Sequence, residues 1–182
     1  MKDSLVDWGK LYKLLEKVTP LPVDCGQLCN SVCCAEWVDG AGMYLYPGEE
    51  TMFTREENWL IWEEHDASKH KFCPEWEGKL YFIKCFGSCP RSKRPLACRM
   101  FPLTPYITIR NELEVRFNVD AWLICPLVKV GDYKLLNKKF ISRVKQVWLE
   151  LLRNPLFFKH VEYRSRKRDS EEKEPWQKFF KG

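Results

Sequence analysis

Apolar residues recur at intervals of three and four at the start of the chain. Leu5, Trp8, Leu11, Leu15 and Val18 form the series, with Lys10, Lys13 and Lys17 interspersed. That period predicts an amphipathic helix, ended by Pro20 and Pro22. A second stripe, Leu136, Phe140, Val144, Val147, Trp148 and Leu151, predicts a helix over 132–153. Lys138, Lys139, Arg143, Lys145 and Glu150 lie off that stripe, and Pro155 stops the run. Between the two helices the period shortens. Tyr106, Thr108 and Arg110 alternate with Ile107 and Ile109, and Glu112, Glu114 and Arg116 alternate with Leu113, Val115 and Phe117. Asn111 lies between these segments, so a β-hairpin is predicted. Segments 58–64 and 79–84 are shorter strand candidates. Most of 20–105 carries Pro and Gly punctuation and no long periodic segment, and the chain has no internal repeat.

That irregular region holds eight of the nine cysteines. Their positions are Cys25, Cys29, Cys33, Cys34, Cys73, Cys85, Cys89, Cys98 and Cys125. The first four occupy ten residues as C-x3-C-x3-C-C. Cys85, Cys89 and Cys98 form a second group, with Cys73 and Cys125 flanking it. A chain of 182 residues can bury a core without staples, so this thiol usage needs a chemical reason. The first residues, MKDSLVDWGKLYK, hold no apolar stretch of signal-peptide length. The expectation is therefore a cytoplasmic protein with reduced thiols, in which clustered cysteines bind metal or react. Nine is odd, so a fully paired disulfide framework cannot close. Thiolates are soft ligands suited to zinc, Cu(I) or iron–sulfur clusters, and the inventory allows two four-thiolate sites with one thiol spare.

Spacing constrains the first group. In one continuous helix Cys25 and Cys33 would stand ~12 Å apart along the axis. Two sulfurs on one zinc, each at ~2.3 Å, are at most ~4.6 Å apart. The segment must break or feed two centres, and Gly26 is the residue that permits a break.

Charge adds little beyond the tail. The chain has 30 Lys and Arg against 25 Asp and Glu, a net +5. Residues 159–182 hold 8 of the basic and 5 of the acidic residues, including the RSRKR run at 164–168. They read as a solvated charged tail following a domain at 1–158. Charge so modest and so localised makes nucleic acid a poor partner. No window approaches ~18 consecutive apolar residues, so no spanning helix is expected.

The stretch CPRSKRPLACRMFPL, from Cys89 to Leu103, carries C-x4-R-P-x2-C-R-x-F-P on Cys89, Arg94, Pro95, Cys98, Arg99, Phe101 and Pro102. With the Cys33–Cys34 pair, the Cys73–Pro74 dipeptide and the downstream Cys125, it resembles the YkgJ-like cysteine-cluster family, the zinc- or iron-chelating domain. The resemblance spans roughly 25–125. It departs from the family pattern in the x3 spacings of the first run and in the additional Cys85. It implies that the cysteines hold an iron–sulfur cluster (4Fe–4S) or zinc. More distantly, through the flagellin lysine N-methylase class, it implies a group-transfer enzyme with a protein substrate. Arg94 and Arg99 flank Cys98, where guanidinium groups would offset thiolate charge and favour the metallated form. The opposing reading is a salt bridge to Glu75 or Glu77. Pro95 and Pro102 would fix the loop on either side of Cys98.

Phosphate-binding glycine loops, H-E-x-x-H and G-x-S-x-G are absent, and the radical-SAM spacing fails because Val32 stands where its third cysteine would be. His65 and His70, in EEHDASKH, can complete a zinc site with Cys73 but read better as part of a solvated loop. PGEETMF at 47–53 carries no nameable chemistry. The expected fold is an α+β, loop-rich, metal-stapled domain with flanking helices and a β-hairpin. Its expected function is binding of an iron–sulfur cluster or zinc. The alternatives are a lysine N-methyltransferase-like enzyme built on that cluster and a metal-free thiol redox sensor.

Overall fold

The computed structural model describes residues 6–34, 42–70, 75–85 and 89–179. It is a mixed α and β fold. Helix α1 (Trp8–Leu14) begins where the Asp7 carboxylate accepts from Lys10 N at 2.9 Å, the side-chain cap that a helix start requires. Helix α5 (Lys138–Leu151) starts the same way at Asn137. Its predicted stripe is its buried face: Phe140, Val144, Val147 and Leu151 are fully buried and Trp148 nearly so. Each such side chain contributes about 1.5–3 kcal/mol. Residues 132–137, expected in this helix, instead form a short 3-10 turn at Tyr133–Leu135.

The predicted hairpin is β4 (Leu103–Ile107) paired antiparallel with β5 (Leu113–Phe117). It is shorter than the alternation suggests. Residues 108–112 make the turn, with Asn111 in the left-handed region, φ +60°. The other sheet has the order β1–β3–β2, formed by β1 (Met43–Tyr44), β2 (Leu60–Asp66) and β3 (Lys79–Cys85). The 58–64 and 79–84 candidates therefore pair with each other, Trp62 opposite Ile83. Short helices α2 (Cys25–Leu28), α3 (Leu96–Met100) and α4 (Pro126–Val130) complete the middle of the chain.

Residues 159–171 do not form the expected solvated tail. They continue α6 (Pro155–Phe179), and the expected boundary at 158/159 falls inside that helix. Phe157, Val161 and Ser165 are buried at successive four-residue steps. The Ser165 hydroxyl accepts from Ile107 N at 2.9 Å and donates to Val161 O. Tyr106 donates to Asp169 at 2.6 Å, and Arg166 donates to Thr108 O. Together these contacts close the free edge of β4, which would otherwise expose unpaired backbone groups. Among the described side chains, Lys159, Arg164, Lys167 and Glu171 lie on the exposed face of this helix. Among the described residues no helix is long and apolar enough to cross a membrane.

Candidate metal centre

The first cysteine group is broken, as its spacing requires, but not at Gly26. Helix α2 lasts a single turn, with Asp24 accepting from Gly26 N. The chain reverses at Asn30 and Ser31, both at φ +52°. A 3-10 turn at Val32–Cys34 follows. Cys25 and Cys33 thus belong to different local structures. Cys85 ends β3, Cys89 precedes Pro90 in the following loop, and Cys98 sits on α3. Pro95 and Pro102 bracket α3 closely, as expected.

Cys34, Cys89 and Cys98, from three of these segments, converge on one guanidinium, and Cys85 joins them through Cys89. Cys85 donates to the sulfur of Cys89; that bond holds the Cys89 thiol below its ordinary range, and Arg94, which also donates to Cys89, acts in the same direction. Cys33 lies 3.9 Å from Cys34. Hydrogen bonding from Cys33, followed by the charge of Arg94, lowers the Cys34 thiol to about 6. Cys98 is pushed up to about 12, first by burial and then by its neighbours Cys34 and Cys89. Its sulfur rests 3.0 Å from Met43 Sδ. The buried Arg94 Nε has no hydrogen-bond partner. A cleft of ≈ 360 Å³ borders this group, with Cys33, Cys34, Met43, Arg94 and Cys98 on its wall and Trp148 beneath.

The two arginines of the motif have different jobs. Arg94 faces the sulfurs. Arg99 is buried and turns away, donating to Arg94 O at 2.6 Å, Ser92 O at 2.8 Å and Tyr12 O at 3.4 Å. Its guanidinium also lies 4.5 Å over the Tyr12 ring. Arg99 therefore holds the 92–94 turn that presents Arg94, and the expectation that both arginines face the thiols applies to Arg94 alone. Glu75 pairs with Lys159 at 3.3 Å, and no described ion pair joins either arginine to Glu75 or Glu77.

Two supporting residues were not legible from sequence. Glu49, in the PGEETMF segment, is fully buried. It accepts from Tyr12 Oη and Leu96 N, both at 2.6 Å, and from Tyr46 N at 3.0 Å, so it ties α1 to the first residue of α3 and hence to Cys98. Met43 reaches the thiols because the backbone at Gly42 runs against β3. A Cβ there would meet Ile83 O at 2.5 Å and the Phe82 ring at 2.6 Å. Only the glycine at 42 carried a readable hint of close approach.

The remaining candidates divide. Cys25, Cys29 and Cys125 lie together on another cavity. Cys73 is outside the described residues. His65 is on β2, not in a loop; its ring stacks on His70 at 4.5 Å, and Tyr44 Oη meets both Nδ1 atoms at 2.8 and 3.0 Å. Among the described residues no three His, Cys, Asp or Glu side chains stand close enough to hold an ion. The thiols are gathered without being at ligand distance. The donor chemistry nevertheless fits a thiophilic group: soft sulfurs, one fixed cation beside them, and a buried N–H of that cation left unsatisfied. Comparison of the chain with family models, curated proteins and solved structures gives no match.

Proposed function

We propose that this is a metal-binding protein in which Cys34, Cys85, Cys89 and Cys98 hold an iron–sulfur cluster beside Arg94, with zinc as the competing occupant. The observation that carries the reading is the convergence of Cys34, Cys89 and Cys98, from three separate segments, on one guanidinium, with Cys85 joined to them through Cys89. A cluster ligated by four thiolates bears net negative charge. Arg94 offsets it in a half-buried setting, where a compensating charge counts for more than in water. The resemblance to the YkgJ-like family points to the same chemistry and adds Cys73 to the donor set. Binding replaces thiol protons by metal, so affinity falls as pH falls.

The test is anaerobic isolation followed by elemental analysis and visible spectroscopy. Broad visible absorbance with iron and sulfide indicates the cluster; colourless protein with stoichiometric zinc indicates the ion. Cys98→Ser lowers both metal content and thermal stability. A native protein isolated free of both metals, and refractory to reconstitution, refutes the proposal.

The ≈ 360 Å³ cleft beside Cys34 and Cys98 favours one further reading, in which the centre supports methyl or other group transfer to a protein lysine. This reading requires a methyl donor to bind. Calorimetric titration of the metal-loaded protein with S-adenosylmethionine that shows no heat removes it.

A further inference from the structure

Three cysteines lie outside the set assigned to the cluster, yet they are not scattered. Cys25 opens α2, Cys29 follows its last residue, and Cys125 precedes α4 and is buried. All three line one cavity of ≈ 190 Å³, and Cys33 is its fourth thiol. Its remaining wall includes Leu21, Phe101 and Leu127 and offers no carboxylate, imidazole or guanidinium. The proximity is also electrostatic: burial first, then Cys29, with Asp24 and Cys125 behind it, raise the Cys25 thiol, and the more distant charge of Arg94 opposes them.

We infer that Cys25, Cys29, Cys33 and Cys125 form a second metal centre, separate from the Arg94 group and of the closed, four-sulfur structural zinc type. Sulfur is the only side-chain donor the cavity presents, which selects a thiophilic ion. Four sulfurs complete a tetrahedral zinc shell and leave no open coordination position, the mark of a structural zinc site as opposed to a catalytic one. Cys25 and Cys29 are four apart on one helical turn, so their side chains share a face. The reversal at Asn30 and Ser31 brings Cys33 back, which removes the length conflict of a continuous helix. Cys29 gives up its 3.3 Å bond to Cys25 O on ligation. Each thiol releases its proton as its Zn–S bond forms, four protons for four bonds.

Cys33 and Cys34 mark the division between centres. Cys33 lines both cavities, whereas Cys34 lines only the larger one. The eight described cysteines thereby split into two sets of four.

The test uses the full chain, reduced and metal-free, titrated anaerobically with Zn(II) against a chromophoric chelator and with Co(II) as an optical probe. Native protein takes up two equivalents. Cys29→Ser and Cys125→Ser each take up one, with about half the thiolate-to-cobalt absorbance. Cys125 is buried, so Cys125→Ser can lose its fold; Cys29 is half-buried beside a one-turn helix, and Cys29→Ser keeps the measurement decisive, with circular dichroism verifying the fold. Undiminished uptake by Cys29→Ser, whether the native chain takes up one equivalent or two, overturns the inference. Loss of an equivalent in Cys29→Ser with none lost in Cys98→Ser refutes the Arg94 centre and leaves this one standing. The reverse result refutes this one alone, and a native chain that takes up no metal refutes both.

Discussion

Replacing Arg94 by Gln tests the role given to its charge. The side chain donates to Cys89 and stands beside Cys34 and Cys98. A hydrogen bond to a charged partner contributes about 1.5–3 kcal/mol. Loss of a residue that orients or compensates metal ligands typically costs about 10- to 100-fold in affinity, which is about 1.4–2.8 kcal/mol. Arg94 is only half-buried, so solvent screening places the expectation near the lower figure, about tenfold. The assay is anaerobic competition with a chromophoric chelator, accompanied by thermal unfolding of the metal-free protein. Arg99→Gln supplies the contrast. Its guanidinium serves three backbone carbonyls, and stranding such groups costs about 1–3 kcal/mol each. Arg99→Gln therefore lowers the melting temperature of the metal-free protein, while Arg94→Gln chiefly lowers metal affinity. Arg94→Lys restores the charge without the fork and recovers part of the affinity. Native affinity in Arg94→Gln, or indistinguishable behaviour of the two glutamine variants, refutes the reasoning.

Other expectations concern the frame around the thiols. Phe157→Ala removes a fully buried ring that meets Trp8 and Tyr46 edge-on or tilted; denaturant unfolding should register a loss of about 3–5 kcal/mol. Ser165→Ala strands the edge N–H of Ile107 and should cost about 1–3 kcal/mol, with faster hydrogen exchange at that amide. Glu49→Ala leaves the buried Leu96 and Tyr46 amides without their acceptor. It should destabilise the protein by at least about 2 kcal/mol and lower metal content through displacement of Cys98. Metal removal by a strong chelator should lower the melting temperature and leave most helical circular dichroism intact, because α5 and α6 pack in a core that contains no thiol of the Arg94 group.

The legibility of the fold followed the strength of its periodicity. Helix α5 and the 103–117 hairpin announce themselves because one face of each is buried and the other wet. Helix α6 was hidden because, among the described side chains beyond 158, its buried stripe is only Val161 and Ser165, and Ser165 is polar; the surrounding charge then reads as a tail. The thiol inventory was plain in the sequence, but its division was not. Which sulfurs meet depends on the reversal at Asn30–Ser31 and on the path of the chain between β3 and α3, both tertiary outcomes. Arg94 and Arg99 look equivalent on either side of Cys98. Their difference arises because Arg94 precedes α3 while Arg99, on the helix itself, faces back toward α1. Glu49 gave no signal, since an acidic residue in a Pro-Gly turn is ordinarily solvated.

The contact between Tyr12 and Glu49 bears on how small a working fragment can be. Trimming the chain to the cysteine-bearing stretch would discard α1 and, with it, the phenol that satisfies a carboxylate sealed from water. The stranded acid would then have to take up a proton or open to solvent, and the backbone amide it holds at Leu96 would be released. The amino-terminal helix contributes no sulfur, yet it belongs to the smallest piece of this protein that can keep Cys98 in place.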